Sequence, residues 1–236
     1  MRIPLKNVLN LRDMGGIAVS LNQKTKDRKF LRSGFVFEID EDEVNYLVQY
    51  GLKVVIDLRE EVDVAKHPDL LNRKEFEYHN VSLIEYTPND GSPKLDLSLY
   101  DTYLTITDKK QDKVKEVFDI ILNHPNDTIL FHCFAGKDRT GVIAYLLLSI
   151  AGCEFKDILA DYTATESFIL DYVEKNVKSK SNYLSKMKYW YATKELLIEY
   201  DTYVKDNYSG PINYLLKIGL SKEDIEKIKN RFLTNI

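Results

Sequence analysis

The chain has 236 residues, 44% of them hydrophobic, with 33 basic and 37 acidic side chains and a formal net charge of −4. That length and apolar content suffice for the core of one α/β domain, and with no basic surplus the balance excludes general affinity for nucleic acid. Two cysteines, Cys133 and Cys153, make no disulfide framework.

Residues 1–16, MRIPLKNVLNLRDMGG, hold no long apolar run, which predicts no secretory signal peptide. No stretch reaches the roughly 20 apolar residues of a membrane span, so no stable membrane insertion is expected. With the low cysteine use this predicts a cytoplasmic protein and leaves export without a cleaved signal open. Residues 22–29, NQKTKDRK, predict a hairpin or loop. Residues 39–50 predict an amphipathic helix with Val44, Leu47 and Val48 on one face, ended by Gly51. LKVVIDLR, 52–59, has the β-branched centre of a buried strand, and FEYHNVSL, 76–83, predicts another. Residues 86–98, with two prolines and a glycine, predict a loop.

Residues 99–123 predict a helix interrupted near Thr105 to Asp108, followed by a turn at His124 to Asp127 and a short apolar strand at 128–132. From Thr140 to Ala151 the pattern is a helix apolar nearly all round, which predicts burial, with Gly152 as its stop. Residues 154–234 predict helices rich in Lys, Glu and Tyr. Without a repeat or a linker, residues 1–236 predict one domain. Its class is α/β, with a largely parallel central sheet flanked by helices and a helical C-terminal third.

The chemistry concentrates in HCFAGKDRTG, 132–141. Cys133 falls at the C-terminal end of a strand, where α/β sheets bind ligands, and Arg139 at the start of a helix. Small residues between them, Ala135 and Gly136, let the backbone curl so that successive N–H groups form an anion nest backed by the helix N-terminus. The same field favours the thiolate of Cys133. Arg139 offers a planar fork for two phosphate oxygens. Attack of the thiolate on phosphorus would give a cysteinyl-phosphate for water to hydrolyse.

This run resembles the phosphate-binding loop of cysteine-dependent tyrosine phosphatases. More narrowly it resembles the bacterial tyrosine/lipid phosphatase family, whose loop reads Cys-x-x-Gly-Lys-Asp-Arg-Thr-Gly. NLRDMGG at 10–16, VIDLR at 55–59 and residues 212–233 are similar to other parts of that family. The resemblance implies a tyrosine-phosphatase-like fold, no cofactor, and a phosphorylated protein or phosphoinositide as substrate. It implies Cys133 as nucleophile and the backbone of Phe134, Ala135, Gly136 and Lys137 through Arg139 as the phosphate cradle. Thr140 is expected to hydrogen-bond the thiolate, and His132 to order the loop.

The general acid implied is Asp138, ahead of Asp96 and Asp101 in or beside an upstream loop. Lys137 either holds further phosphates of a phosphoinositide or tunes the thiolate. Phe134 either lines the pocket mouth or packs. Relatives usually carry Arg-Ser near the end of the strand after the first loop, whereas residues 34–39 here read GFVFEI before Asp40, with an acidic Glu38.

Other residues carry quieter expectations. Cys153 reads as a small buried side chain. His67, His79 and His124 are scattered, without metal-ligand spacing, so no metal site is expected. Arg12–Asp13 and Asp57–Arg59 read as supporting ion pairs ahead of substrate contacts. In the Tyr-rich stretch 183–203, the consecutive Tyr189, Trp190 and Tyr191 cannot share one helix face; they read as a helix packed on several sides or as a lid. Two rival functions are a rhodanese-like sulfurtransferase and a phospho-ligand binding module without turnover.

Overall fold

The computed structural model describes residues 1–36, 38–85, 97–176 and 190–236. Its centre is a five-stranded sheet in the order β1 (Arg12–Asp13), β4 (Phe30–Ser33), β7 (Thr128–His132), β5 (Leu52–Asp57) and β6 (Glu77–Asn80). β4, β5 and β6 join the sheet in parallel; β1 is the antiparallel edge. A second sheet of three strands, β2 (Ala18–Ser20), β3 (Gln23–Thr25) and β8 (Leu233–Asn235), is antiparallel. This confirms the predicted α/β class with a largely parallel sheet.

Side chains on successive strand residues point to opposite faces, and the two cores follow that alternation. Ile129 and Phe131 of β7, with Val54 and Ile56 of β5, enter the larger core. Leu130 and Val55 enter the smaller one. Helix α1 (Glu41–Tyr50) covers the smaller core with Val44 and Leu47, capped at its start by Asp40 and Glu43 in a reciprocal box. On the other face lie α3 (Leu99–Lys109), α4 (Gln111–Asn123), α5 (Asp138–Ala151) and α6 (Phe155–Asn176), together with α7 (Lys194–Tyr208), α8 (Pro211–Lys217) and α9 (Lys222–Phe232). α5 is sandwiched between the sheet and these helices, which is why its sequence is apolar all round. The short α2 (Glu61–Lys66) follows β5. No helix among the described residues is long and apolar enough to cross a membrane.

Several boundaries move. The helix break falls at Lys110; Thr107, predicted in the break, is helical and returns its hydroxyl to the Tyr103 carbonyl. β5 ends at Asp57, and the N–H of the next residue, Leu58, still donates to the His132 carbonyl at the end of β7. β4 was not foreseen: FLRS has two polar residues, yet all four positions are buried. Nor was β8, which ends a third read as helical and pairs with β3 in the segment read as a hairpin or loop. The loop at 86–96 lies outside the described residues.

Candidate active site

β7 is the middle strand of the sheet, and its C-terminal end delivers His132 and then Cys133. Five residues later α5 has begun, with Asp138 in its first turn. The loop between is shaped from behind. Asn10 Nδ2 donates to the carbonyls of Ala135 (3.1 Å) and Gly136 (3.0 Å). Arg32 Nη2 donates to the Gly136 carbonyl (2.9 Å), and the Phe35 N–H to that of Phe134 (2.9 Å). In a trans peptide the N–H points opposite to the C=O. Holding the carbonyls of 134, 135 and 136 therefore turns the N–H groups of 135, 136 and 137 to the other side, which is the nest an anion needs.

The backing rests on a buried ionic group. Asp161 of α6 receives Arg12 Nε at 2.7 Å and Arg32 Nη1 at 2.5 Å. Arg12 also reaches Asn10 Oδ1 (2.5 Å) and Thr165 Oγ1 (3.1 Å). Burial raises the Asp161 pKa, but the two guanidinium groups outweigh it and drive it down to about 2. Burial and the neighbouring Arg32 lower Arg12 to about 10. Two cations share one carboxylate, so a net positive charge lies beneath the loop.

Two glycines let the loop pack so closely. Gly136 has φ +68°, a left-handed conformation that costs other residues about 1–2 kcal/mol. A Cβ on it would meet the Ser33 carbonyl at 2.5 Å, and one on Gly34 would meet the Phe134 carbonyl oxygen at 2.9 Å.

Within this frame Cys133 is 2% exposed. Burial pushes its thiol pKa up. The charge of Arg139, with the hydroxyl and N–H of Thr140 near the sulfur, pushes it down further, so the net shift is downward, with Asp138 opposing. Arg139 Nη1 lies 4.0 Å from Asp63 Oδ2 of α2. Asp138 keeps some exposure; its Oδ1 accepts from Tyr103 Oη at 3.2 Å and lies 3.5 Å from Lys137 Nζ. The predicted group Cys133, Asp138, Arg139 and Thr140 thus stands together.

Lys137 is fully buried and donates to the Tyr191 carbonyl at 3.0 Å, so its ammonium clasps the 190–192 segment onto the loop. The Phe134 ring meets Phe35 (5.6 Å between centroids) and Trp190 (6.3 Å), and Tyr172 joins both at 5.1 and 5.5 Å. A cavity of about 460 Å³ opens beside this aromatic wall, lined in part by Asn10, Phe35, Phe168 and Tyr172. Of the Tyr-rich stretch, residues 183–189 lie outside the described residues; from Lys194 onward it is helix α7.

Behind the nucleophile sits a second buried cluster. His132 Nε2 lies 2.9 Å from Asp69 Oδ2, and its Nδ1 lies 3.4 Å from the Cys133 carbonyl and 4.0 Å from Asp57 Oδ1. Arg59 binds Asp57 through Nε and Nη2 (2.6–3.0 Å) and Asp69 at 3.5 Å. Burial lowers the His132 pKa, but Asp57 and Asp69 outweigh it and the net shift is upward. With His132 protonated the four charges cancel. Arg59 occupies the cationic place among these carboxylates, so the cluster is an ion-pair group and fits no metal.

The remaining expectations resolve by geometry. Asp101 exchanges hydrogen bonds with Ser98 as part of an exposed helix cap; Asp96 lies outside the described residues. Cys153 is 9% exposed, in the core, and burial pushes its thiol up to about 12. Asp57–Arg59 is an ion pair as expected. Arg12 pairs with Asp161 rather than Asp13, which instead accepts from Gly15 N, Arg28 N and Tyr50 Oη. His79 and His124 are not scattered: both meet Glu77 Oε1, at 2.9 and 3.2 Å. These three are the described side chains outside the Arg59 cluster whose ligand atoms gather within 4.8 Å.

The Arg-Ser pair found lacking in 34–39 stands just before it, as Arg32–Ser33 at the end of β4. Its signal was present in the sequence as RSG. Asp161, Asp69 and Tyr103 carried no signal, because each stands in an unremarkable segment.

The chain is 34% identical over 150 residues to a tyrosine-protein phosphatase of Nostoc commune, a match covering 59% of this chain and 49% of that protein. The chain spans about half the length of the curated relatives it matches. Among solved structures it is similar to P. aeruginosa TpbA in complex with pTyr, at 16% identity and a TM-score of 0.39, covering 72% of this chain and 93% of that one. It is also similar to human tyrosine phosphatase-like serine/threonine/tyrosine-interacting protein, at 11% identity and a TM-score of 0.36, covering 65% and 96%. The model of the tyrosine phosphatase family matches residues 3–234, and with that span the chain belongs to the tyrosine phosphatase family.

Proposed function

We propose that this chain, as one phosphatase domain, hydrolyses phosphotyrosine through a cysteinyl-phosphate. The observation that carries the reading is the buried Cys133, its thiol pKa lowered, beside a loop whose carbonyls at 134, 135 and 136 are all held from behind. Phosphate oxygens take the N–H groups of the loop and the fork of Arg139. The Cys133 thiolate attacks phosphorus; as the S–P bond forms, the P–O bond to the leaving group breaks, and protonated Asp138 gives its proton to that oxygen. Water then attacks phosphorus, Asp138 takes its proton, and the S–P bond breaks to return the thiolate. The polar groups of Thr140 near the sulfur favour its departure as thiolate.

Phosphotyrosine is favoured over phosphoinositides because Lys137, the cation assigned to further phosphates, is buried against the Tyr191 carbonyl. The test is phosphate release from a phosphotyrosine peptide and a phosphoinositide panel, with Cys133→Ser as control. Release from the peptide that vanishes in the variant supports the reading. Equal or greater release from phosphoinositides overturns the substrate preference, and no release from folded, reduced protein favours a binding module.

A further inference from the structure

Two buried tyrosines meet the first turn of α5. Tyr103 of α3 is 0% exposed, and its hydroxyl lies 3.2 Å from Asp138 Oδ1 and 2.9 Å from the hydroxyl of Tyr162 of α6. Packing alone does not account for these hydroxyls. Phenylalanine would fill the same volume without a polar atom to desolvate. Burial, with Tyr162 and Asp138 adding to it, holds the Tyr103 phenol well above its ordinary pKa, so it remains a donor. A phenol has one proton to give. Tyr103 gives it to Asp138 and accepts from Tyr162, so donation runs Tyr162 to Tyr103 to Asp138.

Gly141 leaves the Tyr162 ring room for this approach. A Cβ there would lie 3.3 Å from Tyr162 Cε2 and 3.5 Å from Tyr103 Oη. The last glycine of HCFAGKDRTG, which faces this pair and has no assigned contact with phosphate, thereby acquires a role. Lys137 Nζ approaches the same Oδ1 at 3.5 Å. An oxygen that accepts from a neighbour in both protonation states is a poor place for the carboxyl proton.

We propose that Tyr103, backed by Tyr162 and admitted by Gly141, is a positioning residue that holds Asp138 by Oδ1 and so places the transferable proton on Oδ2. This rests on the reading of Asp138 as general acid. In the first step Oδ2–H faces the leaving oxygen while Oδ1 accepts from Tyr103. In the second, Oδ2 takes the proton of water with the Tyr103 bond unchanged.

The test compares kcat/KM on p-nitrophenyl phosphate, whose leaving group needs little protonation, with that on a phosphotyrosine peptide. Wild type, Asp138→Asn, Tyr103→Phe, Tyr162→Phe and Gly141→Ala are measured, with Tm as a check on folding. Tyr103→Phe is expected to lose about tenfold on the peptide, the rate equivalent of one hydrogen bond, and under about twofold on p-nitrophenyl phosphate. Tyr162→Phe should lose less, since Tyr103 keeps its own donation. Gly141→Ala, which deletes no hydrogen-bonding atom and presses only on the Tyr162 ring, should show the same leaving-group signature no more strongly than Tyr162→Phe, and Tyr162→Phe decides the matter if Tyr103→Phe does not fold. Equal losses on both substrates, or none, while Asp138→Asn remains leaving-group dependent, would show that the tyrosines merely pack. If Asp138→Asn itself shows no leaving-group dependence, the acid assignment falls and this proposal with it.

Discussion

Replacing Asp161 by asparagine tests whether the loop is held electrostatically from behind. The substitution keeps the volume but removes the charge that Arg12 and Arg32 share at 2.7 and 2.5 Å. Breaking one partner of a buried ion pair costs about 3–5 kcal/mol. The fall of the Asp161 pKa from 3.8 to about 2 corresponds independently to about 2–3 kcal/mol of linked stability. Because the folded pKa is the lower one, this contribution is complete above the ordinary value and is lost as pH falls through about 2. Urea unfolding of wild type and Asp161→Asn should differ by about 3 kcal/mol at neutral pH, the gap narrowing as acid is added. Phosphate affinity should weaken with it, since Arg32 also holds the Gly136 carbonyl. A variant within about 0.5 kcal/mol of wild type at neutral pH, or a gap that pH does not change, would refute this account.

Gly136→Ala must place a Cβ 2.5 Å from the Ser33 carbonyl at φ +68°; strain and overpacking together should cost about 2–5 kcal/mol, read as a lower Tm with phosphate binding lost. The raised pKa of His132 means that its ion-pair stabilisation is full below the ordinary histidine value of about 6.5 and disappears as pH rises through the folded pKa. Wild type should therefore lose stability on the alkaline side in denaturant titrations, and His132→Gln should show a flatter profile there. The lowered thiol pKa of Cys133 predicts that iodoacetamide alkylation of the folded protein persists below the pH where free cysteine stops reacting, and that Arg139→Gln, which removes the charge, shifts this profile upward. No shift on Arg139→Gln would remove the charge of Arg139 as the cause.

The central chemistry was legible because it is local. Strand, tight loop and buried helix follow one another within 128–151, and small residues at 135 and 136 announce a close backbone turn. The supporting shell was not legible, because its members meet only through the fold. Arg12 and Asp161 are 149 residues apart, and nothing in the pattern of α6 separates Asp161 from a solvent-facing acid. β4 escaped notice for a related reason. A strand buried on both faces normally reads as apolar, but here Arg32 is buried because it holds the Gly136 carbonyl and Asp161, and Ser33 turns its hydroxyl to the Gly34 carbonyl. Lys137 shows the converse: its position in the motif suggested a hand for substrate, and its bond to the Tyr191 carbonyl depends on a segment 54 residues away.

The aromatic wall beside the loop has an optical consequence. Trp190 is the single tryptophan of the chain, and its indole lies 6.3 Å from the ring of Phe134, the residue next to the nucleophile. Emission excited beyond the tyrosine band therefore comes from one chromophore at one known place. Any ligand that shifts Phe134 or the 190–192 clasp changes the surroundings of that chromophore. The unlabelled protein thus contains its own fluorescent gauge beside the loop, fast enough for stopped-flow work.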